Sequence, residues 1–248
     1  MPIRLIQISD THLFGDPEKR YHGMDTYASL QSVLKLIVKK HPDMKALLVT
    51  GDLTQDEMPA SYQRLVQVLS PLSVPFYWLC GNHDVKSLMM QVAPSSMITT
   101  VDLGSWQVLL LNSQKSGEVA GEIDSKELTG LCQQLEQTPD VPTVLALHHH
   151  IDAIDSVWMD ESKVINANAL KDVLRQYPQV KVIIHGHIHQ ERTSMIEGVP
   201  CFAVPSTCVQ FAPYEENYTI DDQMPGYRIL DLFDDGAFHS EVVRISTI

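Results

Sequence analysis

Short apolar runs rich in β-branched residues recur along the chain, separated by stretches whose apolar positions fall three and four apart. Runs at 4–9, 46–50, 75–80, 107–112, 143–147, 180–184 and 201–204 are predicted strands, most of them buried on both faces because the apolar residues continue without alternation. Between them, 26–40 sets Leu30, Val33, Leu34, Ile37 and Val38 on one helical face, and 61–69 repeats the pattern with Tyr62, Leu65, Val66 and Leu69. Asp124-Ser-Lys-Glu127 reads as a capping box opening a helix through 135, and 166–177 carries Leu170, Val173 and Leu174 at helical spacing. Asp235-Gly236, between apolar runs at 227–233 and 238–245, predicts an antiparallel hairpin at a sheet edge. The polar, acidic stretch 212–225 reads as a long surface loop. The βαβα alternation predicts layered α/β architecture.

Composition narrows the function classes. A chain of 248 residues, 44% hydrophobic and 20% charged, has ordinary globular proportions and is expected to form one domain over 1–248. Its net charge of −13 repels phosphate backbones over most of the surface, which argues against nucleic-acid partners and anionic membranes. A phosphate-bearing substrate would need a local attractor. Cys80, Cys132, Cys201 and Cys208 form no C-x-x-C pair and read as buried, reduced thiols. There is no run of eighteen apolar residues and no basic-then-apolar leader before the first strand near Ile3, so a cytoplasmic protein is expected. Nothing in the pattern assigns an oligomeric state.

The informative feature is where the polar residues fall relative to the strands. Asp10-Thr-His12, Gly51-Asp52, Gly81-Asn-His-Asp84, His148 and His185-Gly-His-Ile-His189 each close a predicted strand. Ligands of open α/β sheets bind outside the carboxyl ends of strands, so these distant segments can converge on one crevice. Residues two apart in an extended segment share a side, so Asp10 with His12 and His187 with His189 can each present a pair. Oxygen and imidazole donors suit Mn²⁺, Fe, Zn²⁺ or Co²⁺, and a carboxylate can bridge two ions where a neutral imidazole cannot. Asp52 is the natural bridge.

The ordered series Asp10-x-His12, Gly51-Asp52, Gly81-Asn82-His83-Asp84, His148 and Gly186-His187-x-His189 resembles the complete signature of the calcineurin-like metallophosphoesterases. Asp10-Thr-His-Leu-Phe14, Cys80-Gly-Asn-His-Asp84, His148-His-His150, Gly186-His-Ile-His-Gln190 and Pro205-Ser-Thr-Cys-Val-Gln-Phe211 resemble bacterial class III 3′,5′-cyclic-AMP phosphodiesterases. One departure is Ile151-Asp152, where relatives often have proline after the triple histidine. The resemblance implies a four-layer αββα sandwich with two mixed β-sheets and two divalent ions, iron or manganese, between them. Asp10, His12, Asp52 and His189 would hold one ion; Asp52, Asn82, His148 and His187 would hold the other. The implied reaction is hydrolysis of cyclic AMP to 5′-AMP by a metal-bridging hydroxide. His83 and Asp52 would be the catalytic pair, and His12, Asp52, Asn82, His83 and His189 would line the substrate. For orienting His83, Asp84 and Asp56 are both candidates.

Other readings stay open. The same site could act on a glycerophosphodiester, a phosphomonoester or a nucleotide-sugar pyrophosphate, and a scaffold or cyclic-nucleotide sensor on this fold would be expected to lose ligands that this chain keeps. His148 is favoured over His149 and His150 because it directly follows an apolar strand. His22, His41, His185 and His239 read as structural or exposed, and Met89-Met90 as core filling. Phe211 and Gln210 could offer a stacking face and a base-edge hydrogen bond to a nucleotide, or belong to a strand-to-loop corner.

Overall fold

A computed structural model describes residues 2–248. The first sheet has the order β13-β12-β1-β2-β3, built from β1 (Ile3–Ile8), β2 (Ala46–Thr50), β3 (Phe76–Leu79), β12 (Gly226–Leu232) and β13 (Phe238–Arg244). β1, β2 and β3 run parallel, and the carboxyl-terminal hairpin adds antiparallel strands on one side. The second sheet has the order β4-β5-β6-β7-β9-β8, from β4 (Thr100–Asp102), β5 (Gln107–Leu110), β6 (Thr143–Ala146), β7 (Val180–His185), β8 (Arg192–Ile196) and β9 (Val199–Ala203). β5, β6, β7 and β9 are parallel; β4 and β8 are antiparallel edges. A two-stranded ribbon pairs β10 (Gln210–Phe211) with β11 (Ile220–Asp221).

Three apolar layers make this a four-layer sandwich. Leu30, Val33 and Ile37 of α1 (Thr26–Lys40) and Tyr62, Leu65 and Leu69 of α2 (Pro59–Leu69) cover the outer face of the first sheet through Ile6, Leu47 and Val49. Leu5, Leu48 and Leu230 of that sheet meet Trp106, Val144, Val182 and Ile184 of the second. Leu131 and Leu135 of α4 (Ser125–Gln137), with Leu170 and Leu174 of α6 (Ala167–Gln176), close the outer face of the second sheet over Leu145 and Ile183. Central strands therefore lie between two apolar layers, which is why β2, β5 and β6 are buried at every position and read as uninterrupted apolar runs.

Several local expectations need correction. Val38 is exposed, because a fifth apolar position overruns the stripe that faces the sheet. α2 starts two residues early at Pro59, whose fixed φ suits the first turn of a helix. Asp124 does cap α4, accepting from the N–H groups of Lys126 and Glu127 at 2.8 Å, but Glu127 turns away and accepts from the Asn112 N–H at 3.3 Å, so the box is only half made. The 212–225 stretch contains β11, and α3 (Lys86–Val92), α5 (Val157–Asp160), β4, β8 and β10 have no counterpart among the predicted elements. These are short or half-exposed elements whose order comes from pairing: β8 alternates in burial and is held to β9 across a Glu197-Gly198 turn with both φ values positive. Met89 packs in the core, whereas Met90 is exposed.

Candidate metal centre

The loops after β1, β2, β3, β6 and β7 meet at one end of the sandwich. Those after β1 and β2 are laced together beyond the strands: Asp10, His12 and Leu13 donate backbone N–H bonds to the carbonyls of Gly51, Asp52 and Leu53 at 3.0, 3.0 and 3.1 Å. Asp10, His12, Asp52, His187 and His189 all have positive φ, between 42° and 68°. The pairs two apart do share a side, but through left-handed kinks rather than the extended geometry expected. Non-glycine residues held there cost about 1–3 kcal/mol each and persist where surrounding structure dictates them. Gly81 and Gly186 allow close approaches here, since a Cβ at Gly81 would collide with the Asp52 carboxylate and backbone and one at Gly186 with the Ser9 hydroxyl.

Each of four imidazoles is pinned from behind. His148 Nδ1 donates to Thr50 O, His189 Nδ1 donates to Val209 O, and His12 Nδ1 meets Gln55 Oε1, all at 2.7 Å. His187 is pinned the other way round. Ser162 spends its hydroxyl proton on Met159 O at 2.6 Å, so at 2.8 Å its oxygen can only accept from His187 Nε2. The free lone pairs are thus Nε2 of His12, His148 and His189 and Nδ1 of His187, and they face one another. His12 Nε2 lies 3.2 Å from His189 Nε2, and His187 Nδ1 lies 3.2 Å from His148 Nε2.

Carboxylate and amide oxygens complete both pairs. Asp52 Oδ2 lies 3.7 Å from His12 Nε2 and 3.4 Å from His148 Nε2, between the two groups. Asp10 Oδ1 is 3.5 Å from His189 Nε2, and Asn82 Oδ1 is 3.3 Å from His148 Nε2. Opposed lone pairs at such distances repel unless a cation lies between them, and nitrogen and oxygen donors in this number suit a pair of divalent ions. All seven residues named from the sequence are brought together at this end of the sandwich, with Asp52 close to an imidazole of each facing pair and Asp10 close to His189.

Residues 3–191 match the calcineurin-like phosphoesterase family. The 3′,5′-cyclic adenosine monophosphate phosphodiesterase CpdA of Vibrio vulnificus is 38% identical over 99% of this chain and 91% of its own length, and that of Escherichia coli K12 is 39% identical over 98% and 90%. The chain belongs to the calcineurin-like phosphoesterase family. Members of this family use divalent metals, and the donor sets here fit them. The purple acid phosphatase PPD1 of yellow lupin superposes with a TM-score of 0.71 at 15% identity, over 98% of this chain and 52% of that one, a likeness of fold.

Electrostatics at the phosphoesterase centre follow from burial and proximity. Burial alone would drive both Asp10 and Asp52 toward neutrality, but His189 and His148 beside them hold each below its ordinary range. Burial opposes charge on the histidines too: it takes His12 down to about 3 and His187 well below its usual value. At His148 the Asp52 carboxylate outweighs burial and lifts the pKa to about 9, and Asp10 does the same for His189. One imidazole of each facing pair therefore attracts a proton where a cation would lie.

His83 lies at the rim. Its backbone N–H donates to Asp52 Oδ1 at 2.9 Å, and its ring meets His12 edge-on at 5.1 Å, facing a cleft of about 160 Å³. Neither proposed orienting partner reaches it. Asp84 accepts from the Gly81 and Leu53 N–H groups at 2.9 and 3.1 Å, with burial and then Asp52 pushing its pKa up to about 7. Asp56 accepts from the Gly15 N–H at 2.9 Å and from Ser61. His149 is buried with both ring nitrogens engaged, by Ser113 Oγ at 2.8 Å and Val119 O at 3.1 Å, and His150 is also buried, so the solvated-tract alternative fails for both. Gln210 is a corner residue: its Nε2 donates to Ser206 O and Cys208 O at 2.9 Å. Phe211 does line the cleft, but its face is taken by His189, parallel at 4.0 Å.

Sequence reading missed Gln55 and Ser162, polar residues in irregular segments with no motif to mark them. It also missed Cys208, whose sulfur lies within 4.8 Å of donor atoms of His12 and His189.

Proposed function

We propose that the protein hydrolyses 3′,5′-cyclic AMP to 5′-AMP, with Asp10, His12, Asp52 and His189 holding one divalent ion and Asp52, Asn82, His148 and His187 the other. The observation that carries this reading is the two facing imidazole pairs with Asp52 Oδ2 between them, 3.7 Å from one and 3.4 Å from the other. Near-full-length similarity to cyclic AMP phosphodiesterases supports the choice of substrate. Iron or manganese fits the oxygen-and-imidazole donor set. When bound, such a pair activates water and neutralises charge on the phosphoryl oxygens.

The chain's own groups orient and protonate. Thr50, Gln55, Ser162 and Val209 fix the tautomers of four histidines, so that each keeps its lone pair inward. Asp52 accepts the His83 N–H on one oxygen while the other faces the centre, which ties the rim histidine to the shared carboxylate. Water oxygen adds to phosphorus in line with the 3′-oxygen and releases a proton to solvent, the P–O3′ bond breaks, and the departing oxygen takes its proton from His83, which regains one from solvent, a contribution of typically about 10²–10⁴-fold.

The test is a substrate panel assayed after reconstitution with Mn²⁺ or Fe²⁺, comparing cyclic AMP with a glycerophosphodiester, a phosphomonoester and a nucleotide-sugar pyrophosphate. Rapid release of 5′-AMP from cyclic AMP is expected. Negligible cyclic AMP turnover beside rapid hydrolysis of another phosphoester overturns the assignment.

A further inference from the structure

The cleft has two chemically different halves. Its floor is polar, made by Asp52, Asn82 and the imidazoles, whereas its wall is aromatic, made by Tyr21, Trp158, Phe211 and Tyr218. A phosphodiester group engages only the floor. Two of the four rings are spent on it as well: Phe211 lies against His189 at 4.0 Å, and Tyr21 lies against His12 at 4.9 Å with 12° between planes.

Trp158 and Tyr218 stack on neither floor imidazole. They meet each other at 65° with centroids 5.0 Å apart and both meet Phe211 edge-on, forming a corner at the cleft, and Tyr218, with His22 stacked on one face, is 43% exposed. The corner is held in place. Val157 N–H donates to Glu215 O at 3.1 Å, joining α5 to the segment that carries Tyr218, and the Tyr218 hydroxyl pairs with His22 Nε2 at 2.8 Å. α5 is also tied to the floor, because Met159 O accepts from Ser162, which in turn accepts from His187. One short helix therefore positions both an indole ring and an imidazole of the metal centre.

An ordered, uncharged π surface beside an anion-binding floor matches a ligand with a flat neutral portion and a phosphate. We propose that the Trp158–Tyr218 corner is the nucleobase subsite, with the base stacked on the indole and its edge against Tyr218. This rests on the reading that the substrate is a cyclic nucleotide. Stacking of a base on an aromatic side chain is commonly worth about 10–100-fold in affinity.

Two measurements test it. In the first, Trp158→Ala is compared with the wild type on cyclic AMP and on methyl p-nitrophenyl phosphate, a diester without a base. The cyclic AMP kcat/KM is expected to fall about 10–100-fold, mostly through KM, against no more than two- or three-fold for the base-free diester, with Trp158→Phe recovering most of the loss. Equal losses on both substrates, or no loss on cyclic AMP, overturn the subsite. In the second, tryptophan fluorescence of the wild-type holoenzyme is titrated with 5′-AMP and with ribose 5-phosphate. Trp78 and Trp106 are 1% and 0% exposed, so quenching reports Trp158. Quenching by 5′-AMP well beyond that by ribose 5-phosphate is expected, and equal quenching overturns the subsite whatever the turnover. Absence of cyclic AMP turnover in the wild type would instead overturn the phosphodiesterase reading.

Discussion

At the scale of single residues, position separates binding from chemistry. Asp52 faces both imidazole pairs and also accepts the His83 N–H. Asp52→Ala is expected to abolish activity and to lower metal content at both sites; elemental analysis showing two ions retained per chain would remove the bridging role. His83 lies in the same turn as Asn82, yet its ring faces the cleft. His83→Gln should keep both ions while kcat for cyclic AMP falls by roughly 10²–10⁴-fold, and the defect should shrink with a p-nitrophenyl leaving group that needs little protonation. Loss of one ion would make His83 a spare ligand instead. Ser162→Ala removes the acceptor that sets the His187 tautomer, so affinity for the second ion should drop by about 10–100-fold while the first is held normally. Titration of the stripped protein with Mn²⁺, resolved into two binding steps, checks this.

At the scale of elements, the kinks that follow the strands set where the paired donors point. Residues two apart in a strand already share a side; left-handed φ at 10, 12, 187 and 189 turns them beyond the strand ends, with His12 facing His189 and His187 facing His148. Helices add an orienting role: α5 leads into the turn that carries Ser162, and α1 closes the outer layer with His41 at its carboxyl end. His41 is buried against the Tyr227 hydroxyl at 2.8 Å, and burial, reinforced by Arg4, holds its pKa below the usual 6.5. A depressed folded-state pKa means that unfolded chains bind the proton first. The stability contributed by neutral His41 is thus complete above about pH 6.5 and is lost as pH falls toward the folded value. In urea titrations the wild type should lose more stability as pH falls below about 6.5 than His41→Gln does; parallel losses would show that His41 is not the group responsible.

At the scale of the whole molecule, an acidic chain of net charge −13 concentrates carboxylates and facing imidazoles at one end, an arrangement that bound cations should relieve. Ligands that bind only the folded state stabilise it, by about 2.7 kcal/mol at a hundred-fold excess over Kd. Two such ions should raise Tm on the order of 10 °C in a domain this size. Chelation is therefore expected to stop cyclic AMP turnover and lower Tm together, with both restored by Mn²⁺. A chelator that removes activity without moving Tm would argue against two ions held by buried donors.

Much of this was legible in the sequence. Central strands between two apolar layers are mostly apolar, interrupted in β1 by Arg4 and Gln7 and in β7 by Lys181, so β1, β2, β6 and β7 could be located to within a residue, and clusters of polar residues after them mark the loops at the strand ends. The seven donors all sit at such breaks, but picking them out from neighbours such as His83, Asp84 and His185 came from the resemblance to the phosphoesterase signature. What the chain pattern does not carry is the direction of a side chain in irregular backbone. The removal of Asp84 and Asp56 from His83 and the recruitment of Gln55 and Ser162 depend on contacts between segments far apart in sequence. The aromatic corner has the same origin. Trp158 and Tyr218 are sixty positions apart, in segments with no helical or strand periodicity, and only the packing of loops over the candidate metal centre makes them neighbours. Local sequence determines which residues are apolar enough to build layers; tertiary structure alone decides which polar groups, left over at the ends of those layers, face one another.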